Sequence, residues 1–143
     1  MKKIIIWVAV LFSASAYASP SNHETVIKNF KETFPDAQGI KWYNGPGYYE
    51  VSFTDRKVQE RAFYDEDGKV FRTIRYYDES QLNPFISQKI KERFKNKTIS
   101  NITEIQEDSN IFYQVILEDS KHLYVVNCNP SGDMELEHRY KKA

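Results

Sequence analysis

The sequence predicts an α+β fold of two tandem helix-plus-antiparallel-sheet units, an α-β-β-β-β pattern repeated, with the helices packed on one face of the sheet. Three observations predict it. The spacing of apolar residues changes twice from a helical period to a period of two. Hairpin signals recur at matching places in the two halves. The halves can also be laid on each other at one constant offset.

The first helix is expected over 24–34, where Val26, Ile27, Phe30 and Phe34 share a face. Ser21 followed by Glu24 reads as a capping box, and Pro35 ends the helix because the residue before a proline avoids the α region. A second helix is expected over about 84–95, with Phe85, Ile86, Ile90 and Phe94 as its apolar face. Asn83 is a good N-cap and Pro84 a good first residue, since that position needs no N–H partner.

After each helix the alternation is strand-like. In 48–54, Tyr49, Val51 and Phe53 fall on one face and Tyr48, Glu50 and Ser52 on the other. Segments 58–64 and 70–77 continue the pattern, with Asp67-Gly68 as the hairpin turn between them. In the second half, strands are expected at about 99–106, 111–118, 122–128 and 134–140, and Ser131-Gly132 marks the corresponding turn.

Tyr49, Val51, Asp55, Lys57, Gly68 and Arg75 meet Tyr113, Val115, Asp119, Lys121, Gly132 and Arg139 at the constant offset. Duplication is favoured over chance likeness of two hairpins, because the register is kept across three strands. The two repeats then cover about 21–78 and 83–141, joined by the polar linker 78–83, and could join edge to edge into a continuous sheet with both helices on one side.

Ahead of these units, Lys2 and Lys3 precede the apolar run Ile4–Phe12, and small residues end in Ala16-Tyr17-Ala18. This predicts a signal peptide over residues 1–18, cut between Ala18 and Ser19, and a domain over 19–143 that is periplasmic or secreted. The apolar run is well short of the roughly 20 residues that span a bilayer. No later segment is apolar enough to cross, so no stable membrane insertion is expected after cleavage. Whole-chain charge is balanced, 20 basic against 20 acidic residues, and loss of Lys2 and Lys3 makes it slightly acidic. That gives no electrostatic reason to expect nucleic-acid binding. Aromatic residues make up 15%, enough for a packed core, which argues against disorder.

No catalytic, cofactor or metal site is expected. Cys128 is the only cysteine, so an intrachain disulfide is impossible, and it reads as a small buried hydrophobe in a strand. His23, His122 and His138 are scattered, without the spacing of a zinc site. Asp65-Glu66-Asp67-Gly68 lacks the later oxygen ligands of a calcium loop and reads as a solvated hairpin tip. No nucleophile elbow or phosphate loop occurs. The sequons at Asn96 and Asn101 read as coincidence.

The functional signal is aromatic. Trp42, Tyr43, Tyr48, Tyr76 and Tyr77 cannot all point inward, since strand neighbours face opposite sides. Exposed aromatics serve as interface anchors, so these five are the candidate protein-binding residues.

Val26-Ile27-Lys28-Asn29-Phe30, Phe34-Pro35-Asp36-Ala37 and Ile40-Lys41-Trp42, followed by Tyr49–Phe53 and the hairpin at Asp65–Val70, resemble the PepSY-like, β-lactamase-inhibitor-like (BLIP-like) exported proteins of Bacteroidetes-type bacteria. The second unit departs from that pattern, with Lys95-Asn96-Lys97 in place of the Pro-Asp-Ala turn and no tryptophan after it. The resemblance implies helix packed on curved antiparallel sheet, no enzymatic activity, no cofactor, and binding or inhibition of another envelope or secreted protein. The rival expectations are a structural or assembly protein of the cell envelope and, last, a small-molecule carrier or enzyme with a pocket between helix and sheet.

Overall fold

In the computed structural model, which describes residues 22–143, all the strands join one antiparallel sheet in chain order. Helix α1 (Asn22–Thr33) leads into β1 (Gln38–Gly45), β2 (Tyr48–Asp55), β3 (Val58–Asp65) and β4 (Val70–Tyr77). A 3-10 turn (Glu79–Gln81) and helix α2 (Pro84–Arg93) follow. The chain then returns through β5 (Thr98–Glu107), β6 (Asn110–Glu118), β7 (His122–Cys128) and β8 (Met134–Lys141). The predicted signal peptide and the Ser21 cap lie outside the described residues.

This overturns the expected pair of tandem helix-plus-sheet units over about 21–78 and 83–141. Among the described residues the architecture is a single eight-stranded sheet with two short helices, because β4 pairs with β5 from Arg72↔Glu107 to Tyr77↔Ile102. A strand edge left unpaired exposes a row of N–H and C=O groups. Pairing β4 to β5 removes two such edges. The core does not divide at the linker either: Val58 and Tyr77 pack with the residues under α2.

Both helices lie on the same side of the sheet. The cross-strand row Glu60, Arg75, Glu104, Tyr113, Cys128, Met134 runs beneath them, and alternate residues from it enter both cores. Under α1, Val26 and Phe30 pack on Val51, Phe53, Ala62 and Tyr64. Under α2, Ile86 and Ile90 pack on Ile102, Val115, Leu117 and Val126. The helices hold their places through specific contacts. Asn29 Nδ2 donates to the Gly68 carbonyl at 2.8 Å, and a Cβ on Gly68 would lie 2.8 Å from that nitrogen, at a φ of +81°. Asn83 Oδ1 accepts from the Phe85 amide at 2.9 Å, the N-cap the sequence predicts. Phe85 itself is 49% exposed and not part of the core face. It sits in the first turn, where its ring lies over the β7–β8 turn at Gly132.

Candidate functional site

Among the described residues nothing covers the face of the sheet opposite the helices, and register assigns its residues. One row crosses Tyr43, Glu50, Phe63, Arg72 and Glu107. The next crosses Lys41, Ser52, Arg61, Ile74, Ile105 and Phe112. A third crosses Gln59, Tyr76, Thr103, Gln114, Asn127 and Glu135. Aromatic, aliphatic and paired charged side chains are therefore interleaved on a rigid sheet.

Two ion pairs organise this surface. Arg61 donates to Glu50 Oε1 from Nη2 at 2.6 Å and Nε at 2.8 Å. Arg72 Nη2 donates to Glu107 Oε1 at 2.6 Å. Phe63 lies between the two guanidinium groups, 5.4 Å from Arg61 and 5.8 Å from Arg72, and is itself buried. Hydrogen bonding with Tyr76, and then with Glu50, raises the Arg61 guanidinium above its usual value, against the opposing effect of burial. Arg61 is therefore a permanent cation held in one place, which lowers the entropic cost of using it in recognition.

The five aromatic candidates divide between the two faces. Tyr43 is half-exposed on the open face. Tyr76 lies in the same face, and the two tyrosines flank a groove of about 530 Å³ floored by Glu50, Ser52, Gln59 and Arg61. Tyr48 stands at the edge of this surface, its ring 6.2 Å from Phe63 and folded over Gly45. A Cβ on Gly45 would come within 2.1 Å of the Tyr48 ring, so only glycine leaves room for it there. Trp42 and Tyr77 go to the other side. Trp42 packs edge-on against Phe30 at 5.3 Å and against His23 at 5.9 Å. Tyr77 is buried in the α2 core, and its hydroxyl donates to Glu104 Oε2 at 2.5 Å. Burial, then the bond to Glu104, pushes its pKa far above the ordinary phenol range.

A second, larger groove of about 770 Å³ lies toward the other end of the rows, where Ile74, Ile105 and half-exposed Phe112 form its apolar part and Glu107, Asp133 and Glu135 its acidic part. None of these was singled out by aromatic content near turns. The available signal was phase: Ile105 and Phe112 are apolar at positions that alternate with the core residues Ile102 and Tyr113. Among the described residues no three His, Cys, Asp or Glu side chains are placed to hold a metal ion, and no helix is long and apolar enough to cross a membrane.

No family model and no curated protein matches the chain. Solved structures do. The fold is shared with a BLIP-like protein from Bacteroides fragilis, at 18% identity and a TM-score of 0.63, with 88% of this chain and 89% of that chain covered. A DUF2874 family protein from Bacteroides ovatus matches at 17% identity and a TM-score of 0.64, covering 86% of this chain and 89% of that one. A protein of Bacteroides eggerthii, described as a candidate periplasmic protein, matches at 16% identity and 0.63, covering 87% and 89%. The class is therefore an antiparallel-sheet fold of the BLIP-like and DUF2874 kind. At these identities the likeness is one of fold, and it extends over nearly the whole of each chain.

Proposed function

We propose that this chain is an exported, non-enzymatic binding module of PepSY-like, BLIP-like character, which captures or modulates another protein of the cell envelope or exterior. The observation that carries the reading is the open sheet face, on which Tyr43, Tyr48 and Tyr76 surround the Glu50–Arg61 pair. Tyrosines held by a sheet supply large contact area at low entropic cost, and a fixed guanidinium adds directional hydrogen bonds. The BLIP-like fold and the candidate periplasmic description of one structural neighbour support this reading. The predicted leader supports export.

Replacing Tyr43 and Tyr76 together by alanine should abolish capture of the partner in pull-downs from envelope extracts, while thermal unfolding moves by only a few degrees. Tyr77→Ala is the contrasting control, because deleting a buried ring costs about 3 kcal/mol or more. A double tyrosine variant that captures the same partner as the parent would reject the open face as the binding surface.

The alternative, assembly through sheet edges, draws on β1 and β8, the outer strands of the sheet among the described residues. Both edges are interrupted, β1 between Gln38 and Lys41 and β8 opposite Val125 and Val126. Such irregularities, with the charged side chains of β8, discourage edge-to-edge pairing. Sedimentation at several concentrations separates the two readings.

A further inference from the structure

The open face is not electrically uniform. A meander places alternate hairpins at the same end of the sheet, so the turns after β1, β3, β5 and β7 lie together. Three of those four turns carry Asp65, Glu66 and Asp67, then Asp108, then Asp133, against the single basic residue Lys69. The 770 Å³ groove opens at this end. Arg72, the one cation among its described lining residues, is already engaged by Glu107 at 2.6 Å. Asp133 accepts only from its neighbour Asn129, and Glu135 projects exposed from edge strand β8. Lys89 and Arg93 of α2 approach the β7–β8 turn from the helix side, Arg93 being bound to the Met134 carbonyl. The groove thus joins an aliphatic and aromatic wall of Ile74, Ile105 and Phe112 to carboxylates that the open face leaves without a cation.

We infer that this groove receives a cationic, partly apolar segment of the protein partner: a lysine or arginine set among aliphatic side chains and lying across β5–β7. The inference rests on the reading of the open face as the binding surface and adds the chemistry of what binds there. Long basic side chains suit such a place, because the stem covers apolar surface while the head reaches the carboxylates. A segment of the opposite charge would bring like charges together on a partly desolvated surface.

The test uses the purified protein and two capped octapeptides, one alternating lysine with valine and its twin with glutamate for lysine. Amide shifts and titration should show the lysine peptide binding about tenfold or more tighter than its twin, a difference of about 1.4 kcal/mol. The shifts should centre on Ile105, Phe112 and Gln114. Asp133→Asn with Glu135→Gln should weaken binding severalfold and flatten its salt dependence, and Phe112→Ala should remove it. Equal binding of the twins, no binding of either, shifts centred elsewhere, or an unchanged affinity in the double carboxylate variant would each overturn the inference. Tyr43→Ala with Tyr76→Ala should leave peptide affinity within about twofold. The two readings therefore fail separately: capture insensitive to the tyrosines sinks the open-face reading, whereas peptide binding insensitive to the carboxylates sinks only this one.

Discussion

Asp119 shows how much one side chain can organise in this protein. Its carboxylate accepts the Tyr124 hydroxyl at 2.6 Å and the amides of Lys121 and His122 at 2.8 Å, so it closes the β6–β7 turn and ties it to the α2 core. The Tyr124 hydroxyl, and then the Lys121 amide, hold the carboxyl well below its ordinary value of 3.8. A depressed native pKa contributes stability that is present above the unfolded value and lost as pH falls through the native one. Asp119→Asn should therefore lower the urea midpoint at neutral pH, and the gap from the parent should close on acidification below 3.8. A gap that is constant from pH 7 to pH 2 would show that the charge is not what matters. Tyr43, Tyr48 and Tyr76 belong to the same scale. Nothing in their local sequence separates them from Trp42 and Tyr77; the alternation of a strand does, once the helix-bearing face is known.

At the scale of elements, helix α2 is short and depends on its ends. Asn83 caps it, Pro84 occupies its first position, and Glu79 of the preceding turn accepts from Ser87 at 2.7 Å and pairs with Lys91. Ten residues form too short a helix to persist in water on propensity alone, so the cap and the apolar face through Ile86 and Ile90 must supply the difference. Asn83→Ala should cost about 1 kcal/mol, read as a lower urea midpoint with an unchanged slope. No loss of stability would mean that packing alone holds the helix. The element positions were largely legible: hairpin turns at Gly68 and Gly132 and the Asn83-Pro84 start stand where residue chemistry puts them. Phe85 departs from the expected apolar face because a helical period cannot tell the first turn of a helix from its middle.

The whole molecule is joined by a polar seam. Between the α1 and α2 clusters, Arg75 lies 3.1 Å from Glu60 and 3.3 Å from Glu104. Glu60 is only 6% exposed, and burial raises its pKa above 4.5 despite the bond to Arg75. A raised native pKa contributes stability that is greatest below the unfolded value and lost as pH climbs through the native one. The parent should therefore lose ground to Glu60→Gln between pH 4.5 and neutrality, in paired urea titrations. An advantage of the parent that grows with pH would show that Arg75 outweighs the desolvation. The seam is also where the tandem-unit expectation failed: β4 and β5 meet across it, and one core cluster takes Val58 and Tyr77 from the first half.

β1 and the turns at Arg56-Lys57 and Asp108 aside, local chemistry by itself determined where the other strands and the helices lie, the hairpin turns at Gly68 and Gly132, and that aromatic side chains would reach the surface. Those are short-range properties, set by steric preference, capping and the period of apolar residues. Only the tertiary structure decided that β4 pairs with β5 in a single sheet, which face of it stays open, and that Phe112 joins Ile74 and Ile105 in a groove that also holds Glu107, Asp133 and Glu135. Strand pairing across the linker and the assembly of a surface from five separate strands depend on contacts between residues far apart in the chain, for which no single segment carries a signal.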